Sequence, residues 1–172
     1  MNKDAIEVTK LIVADIDELV ESFARHNWEK PKALFEGYLA EQQAGNRQVW
    51  VAYFNGVLAG YITLNWRSQY QPFFDNSIPE IMDLNVLPPF RRQGIGSKLI
   101  DKAERSATQK SSVVGIGVGL YDGYGDAQKL YVKRGYIPDG LGPTYRYTKL
   151  DYGQTVTVDD DLVMWFTKRL NK

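Results

Sequence analysis

Apolar residues recur at Ile16, Leu19, Val20 and Phe23, a spacing that lines one face of a helix over residues 15–25. Ahead of it, residues 6–13 alternate loosely, as a first strand would, and Asp15 or Asp17 is placed to cap the helix. Pro31 suits the first turn of a second helix running toward Ala44, with Gly45-Asn46 as its stop. The clearest local signal is Asn55-Gly56, set between the β-branched and aromatic runs 48–54 and 57–66. Such a pair predicts a two-residue hairpin turn, because both central residues need positive φ.

Residues 67–78 are polar and aromatic without a period and read as a loop. Residues 80–87 form the next strand, ended by Pro88-Pro89, which cannot donate to a ladder. Ile95, Leu99, Ile100, Ala103 and Ala107 make one stripe of a helix reaching about Thr108. Residues 113–121 then form a strand with Gly115, Gly117 and Gly119 on one face, leaving room for a helix or ligand to approach. Ala127, Leu130 and Tyr131 share a face of a short helix that Gly135 terminates, and residues 136–170 hold two or three more strands. No repeat, linker or low-complexity stretch interrupts this order, which predicts one α+β domain over residues 1–172 with a mixed sheet.

Composition narrows the function. With 21 basic and 21 acidic residues in 172, the formal charge is zero, so no cationic excess is present to neutralise a nucleic acid. The start, Met1-Asn2-Lys3-Asp4, lacks the apolar core of a signal peptide, and no apolar run approaches the roughly 20 residues that span a bilayer. The expectation is a cytoplasmic protein with neither nucleic-acid nor membrane partners; homodimerisation is left open. The absence of cysteine removes thiolate catalysis and most structural zinc sites, and no metal is expected. The one histidine, His26, reads as an ordinary helix-end residue.

The most informative stretch is Val86-Leu87-Pro88-Pro89-Phe90-Arg91-Arg92-Gln93-Gly94-Ile95-Gly96-Ser97. It lies between a strand and a helix, where unpaired N–H groups and the helix dipole attract anions. Gly94 and Gly96 let a phosphate come close to the backbone, and Arg91 and Arg92 add charge and donors. The dinucleotide fingerprint fails for want of a third glycine, and Gly96-Ser97-Lys98 lacks the upstream glycine of a nucleoside-triphosphate loop. Arg91-x-x-Gly94-x-Gly96, after strand residues Leu84-Asn85-Val86 and Pro88, resembles the pyrophosphate loop of the GNAT superfamily of acetyl-CoA-dependent N-acetyltransferases. About 30 residues downstream, Ala127-Gln128-Lys129-Leu130-Tyr131-Val132-Lys133-Arg134-Gly135-Tyr136 resembles that family's second signature. One departure is Tyr124, where many members carry asparagine; a hydrogen bond of that loop then falls to Asp122 or Asp126.

The resemblance implies a GNAT-like fold: a mixed, mostly antiparallel twisted sheet flanked by helices, with a splayed parallel strand pair at the coenzyme A site. It implies acetyl-CoA as cosubstrate, transferred to a primary amine of a small molecule or protein by direct attack in a ternary complex. Coenzyme contacts are expected from Leu84, Asn85 and Val86, from Arg91, Arg92, Gln93, Gly94, Ile95, Gly96 and Ser97, and from Asp122, Ala127, Leu130 and Tyr131. The backbone N–H of Asn85 or Val86 is expected to face the thioester oxygen. Tyr131 is the expected general acid, protonating the departing thiolate. An amine of pKa about 10.4 must also lose a proton, and Glu80 is the first choice as base, with Asp83 or a water chain as alternatives. Trp28, Trp66, Tyr70, Phe73 and Phe74 wall an acceptor pocket or belong to the core, and Asp75 or Asp83 could meet an amine. The rivals are an acyl-CoA-binding sensor without turnover and a nucleotide-binding module unrelated to coenzyme A.

Overall fold

The computed structural model describes residues 5–171, so the expectation made for residues 1–4 lies outside it. Its elements are β1 (Ile6–Lys10), α1 (Asp15–Ala24), α2 (Lys32–Gln43), β2 (Arg47–Phe54), β3 (Val57–Asn65), α3 (Gln71–Asp75) and β4 (Glu80–Val86). They continue with α4 (Ile95–Ala107), β5 (Val113–Gly119), α5 (Gly125–Lys133), β6 (Ile137–Pro138), β7 (Thr144–Tyr145), β8 (Thr148–Lys149) and β9 (Leu162–Arg169). The class is α+β, with mostly antiparallel strands and flanking helices. The described residues fall into two compact units, 5–65 with 81–106 and 66–80 with 107–171.

In the first unit β1 pairs antiparallel with β2, and β2 with β3 through the expected turn, where Asn55 and Gly56 have φ of 50° and 80°. β4 runs antiparallel to β3: Leu87 N–H donates to the Ala59 carbonyl at one end, and Thr63 Oγ1 lies 3.4 Å from the Met82 carbonyl at the other. The helical stripe read from α1 buries Ile16, Leu19 and Phe23 against Phe35, Val49, Val51, Leu58, Tyr61 and Leu87. Edge-to-face ring contacts link Phe23, Tyr61 and Phe35. A buried aromatic or aliphatic side chain here contributes roughly 1.5–3 kcal/mol. The expected acidic cap of α1 is absent. Ala14 occupies the cap position, while Asp15 accepts from Ile12 N–H at 2.9 Å and from the Tyr53 hydroxyl at 3.0 Å. Asp17 instead pairs with Lys32 across the surface. Both carboxylates lie inside the first turn, too late in the chain to fold back on its N–H groups in the usual capping geometry.

In the second unit β9 is the hub, pairing with β5, β6 and β7, while β8 pairs with β7. Residues 136–170 therefore hold four strands rather than two or three; three of them are only two residues long, too short to leave a period in the sequence. Residues 67–78 are not all loop either. Ser68 Oγ accepts from Tyr70 N–H, and α3 buries Phe73 beside Tyr70 and Trp165. Tyr70 and Trp165 stack at 4.1 Å with an interplanar angle of 2°. The glycine face of β5 is filled by this chain's own rings. A Cβ at Gly115 would lie 2.0 Å from Phe73, and one at Gly119 would lie 2.4 Å from Tyr124.

Candidate active site

Within the first unit, β4 leads into the phosphate loop. Asp83 sits in mid-strand with φ of 51°, a left-handed conformation uncommon for a residue with a side chain. The strand is held there from two sides. Asn85 Nδ2 donates to the Asp83 carbonyl at 3.1 Å, and β3 supplies Gly60, whose Cβ, if present, would be 2.3 Å from the Asn85 carbonyl oxygen. Gly60 thus lets β4 pass at a distance no side chain would permit. Asn85 is buried, and Leu84 and Val86 are half-buried.

Past β4, Leu87 is fully buried and Phe90 packs on Phe54, fixing both ends of a short 3-10 turn over Pro88–Phe90. Arg91 Nε donates back to the Val86 carbonyl at 3.1 Å, and Gln93 Nε2 donates to the Pro89 carbonyl at 3.0 Å. Arg92 and Gly94 have φ of 62° and 82°, and the Cβ direction of Gly94 faces open space. Lys98 N–H donates to the Gly94 carbonyl, so the N–H groups of Ile95, Gly96 and Ser97 come before any acceptor inside α4. The first turn of α4 carries no acidic residue, and Ile95, Leu99, Ile100, Ala103 and Ala107 are buried as the stripe predicted. Free donors, the positive helix end, exposed Arg91 and Arg92 and an open glycine together suit a pyrophosphate.

Within the second unit, Glu80 opens β4 beside β5, where Gly115 N–H donates to the Pro79 carbonyl at 2.9 Å. Its carboxylate is 3% exposed and accepts from Ser68 Oγ at 2.5 Å. Tyr131 lies on α5, 6% exposed, edge-to-face with Tyr136 at 5.8 Å. Burial, with a smaller contribution from Tyr124, raises its phenol above the ordinary value near 10, so it carries its proton throughout the neutral range. Ala127 and Leu130 are half-buried on the same helix and Asp122 is exposed in the turn before it. Tyr124 anchors to its own unit, its hydroxyl 3.3 Å from Asp160 Oδ1, which also accepts from Tyr121 at 2.7 Å. Gln128 Nε2 caps the Gly119 carbonyl at 2.8 Å.

The aromatic residues proposed around an acceptor divide. Tyr70 and Phe73 are core, whereas Phe74 is exposed beneath Arg67, Trp66 lies under Lys110 and Trp28 packs on Phe23. Asp75 is exposed and accepts from Gln71. His26 follows α1, its N–H donating to the Phe23 carbonyl. Sequence reading missed Tyr38, Gly60, Tyr61 and Ser68, for none of which does local spacing signal a role. Among the described residues no group of three or more potential ligands could hold a metal ion, and no helix is long and apolar enough to cross a membrane.

Residues 13–136 match the acetyltransferase (GNAT) family, to which the chain belongs, and β4, the loop after it with its left-handed Arg92 and Gly94, and the start of α4 all lie within that match. Over 118 residues it is 33% identical to the aminoalkylphosphonate N-acetyltransferase of Salmonella typhimurium, covering 69% of this chain and 72% of that one. An uncharacterised N-acetyltransferase of Archaeoglobus fulgidus is 29% identical over 121 residues, covering 63% and 78% of the two chains. The fold is shared with yncA of Salmonella typhimurium, solved with acetyl-CoA (TM-score 0.69, 18% identity, 98% of this chain and 95% of that one). It is shared too with an N-acetyltransferase from Staphylococcus aureus Mu50 (TM-score 0.70, 14% identity, 97% and 99% covered).

Proposed function

We propose that residues 1–172 form one catalytic domain that moves the acetyl group of acetyl-CoA onto a primary amine of a small molecule or protein, by direct attack in a ternary complex. The observation that carries this reading is the start of α4. Its donors, the open Gly94 and the cationic Arg91 and Arg92 match a pyrophosphate in a chain of this family. Acetyl-CoA, when bound, supplies the activated acyl group. The N–H groups of residues 92–97 hold its phosphates, with Asp122, Ala127, Leu130 and the backbone of Leu84, Asn85 and Val86 lining the remainder. The N–H of Asn85 or Val86 donates to the thioester oxygen as charge develops there.

Tyr131 gives its proton to the departing thiolate, a role supported by a phenol that burial keeps protonated. Glu80 takes the amine's proton through Ser68, whose hydroxyl already donates to it, so a buried carboxylate can act as base without meeting the thioester itself. The absence of cysteine from the chain removes the most nucleophilic acyl carrier and favours the direct route. An intracellular cosubstrate fits a cytoplasmic enzyme. The 33% identical relative makes 2-aminoethylphosphonate the first acceptor to assay, beside spermidine and a peptide with a free amino terminus. Initial rates over both substrates should give intersecting double-reciprocal lines. Parallel lines with an isolable acetyl-enzyme would refute direct transfer, and coenzyme A binding without turnover on any amine would favour a sensor.

A further inference from the structure

The bend in β4 turns Asp83 outward, and its carboxylate is exposed although its surroundings in the first unit are not. Oδ2 accepts a hydrogen bond from the hydroxyl of Tyr38, which is 8% exposed on α2. Among the described residues Oδ1 has no partner. Next to this pair lies Tyr61, fully buried, whose hydroxyl meets no partner at hydrogen-bonding geometry although the Asn85 side chain is near. Among the described residues, the cation packed against the Tyr38 ring is already committed. Arg47 stacks over the Tyr38 ring at 4.8 Å, pairs with Glu41 at 2.5 Å and donates to Thr63 at 2.8 Å. Both phenols are held above their ordinary value, mainly by burial and next by Asp83, so they remain neutral donors, and the second Asp83 oxygen stays open.

An exposed carboxylate with one fixed oxygen and one open one, on the strand expected to bind the thioester, is suited to a cationic nitrogen. We infer that Asp83 is the acceptor-recognition residue, its Oδ1 receiving the ammonium of the amine to be acetylated, with Tyr38 as the residue that positions it. This rests on the transferase reading above. After the amine has lost its proton, Oδ1 still accepts one of its N–H bonds, which leaves the nitrogen lone pair free for attack. The substrate class is therefore amines that arrive as cations, in preference to equally nucleophilic neutral ones.

The test compares two acceptors of nearly the same shape near pH 7.5, n-propylamine, which is cationic, and O-ethylhydroxylamine, which is largely uncharged. Asp83→Asn should lower kcat/KM for n-propylamine roughly 10- to 100-fold, the scale of a hydrogen bond to a charged group, mostly through KM. For O-ethylhydroxylamine the loss should be at least several-fold smaller. Tyr38→Phe should show the same charge-selective pattern at smaller size, and Asp83→Glu should restore part of it. Acetyl-CoA affinity, read by calorimetry, should be unaltered in all three. Equal losses on the two amines, or no loss, overturn the inference and leave the transferase intact. If Asp83→Asn does not fold, the selectivity of Tyr38→Phe decides by the same criterion. A wild-type protein that binds acetyl-CoA yet releases coenzyme A with neither these amines nor the acceptor panel overturns the transferase reading and this one with it.

Discussion

Tyr131→Phe removes one oxygen and keeps the ring. The structure sets the size of each effect. The side chain is 6% exposed and its ring packs edge-to-face on Tyr136, contacts that phenylalanine preserves. Among the described residues its hydroxyl makes no hydrogen bond, so the substitution leaves no orphaned partner behind. Stability should therefore change by less than about 0.5–1 kcal/mol, a shift of only a few degrees in melting temperature for a chain of this size. The rate should respond differently. A coenzyme thiol with a pKa near the cysteine value of about 8.5 leaves as an anion unless protonated, and a lost general acid costs on the order of 10²-fold or more, or about 2.7 kcal/mol. Because burial holds the phenol above its ordinary value, the acid form persists as pH rises through 10, and kcat should show no alkaline fall from Tyr131 up to that point. The assay is thiol release at saturating acetyl-CoA, beside calorimetry of coenzyme binding and a thermal melt. The loss should shrink with an acyl donor whose leaving thiol is more acidic. Wild-type turnover by Tyr131→Phe with acetyl-CoA would refute the assignment and make water the proton donor.

Gly96→Val should weaken coenzyme A binding more than Arg92→Ala by calorimetry, because a branched side chain in the first turn of α4 blocks backbone approach while an exposed arginine adds little; the reverse order would remove the backbone cradle. Gly60→Ala places a Cβ 2.3 Å from the Asn85 carbonyl, so β4 must move, with an expected cost of about 1–3 kcal/mol in denaturant unfolding and a matching loss of acetyl-CoA affinity. Unchanged affinity would detach the bend in β4 from the coenzyme site. Tyr38, Tyr61 and Tyr131 are buried phenols with raised folded values, so above pH 10 the unfolded chain binds fewer protons than the native one and stability falls. A group as buried as Tyr61 contributes up to about 1.4 kcal/mol per pH unit there; a flat unfolding free energy between pH 10 and 12 would contradict that burial.

The sequence alone determined those parts of the protein that depend on neighbours a few residues apart. Asn55-Gly56 names its own turn, since only residues tolerant of positive φ fit it. The stripe from Ile95 to Ala107 declares which face of α4 is buried, and the glycines and arginines before it declare an anion site, because free N–H groups at a helix start are a property of the helix itself. Tertiary structure decided the rest. Phe73 and Tyr70 became core because Trp165, far along the chain, stacks there; nothing within five residues of α3 encodes that. Asp15 serves Tyr53 and the Ile12 N–H in place of a helix end. Asp83 acquires its left-handed backbone from β3 and Asn85, and its partner Tyr38 from a helix 45 residues earlier. Hydrophobic periods and turn residues act locally and can be read in one dimension. Close backbone approach and a hydrogen bond between distant side chains exist only once the chain has closed over them.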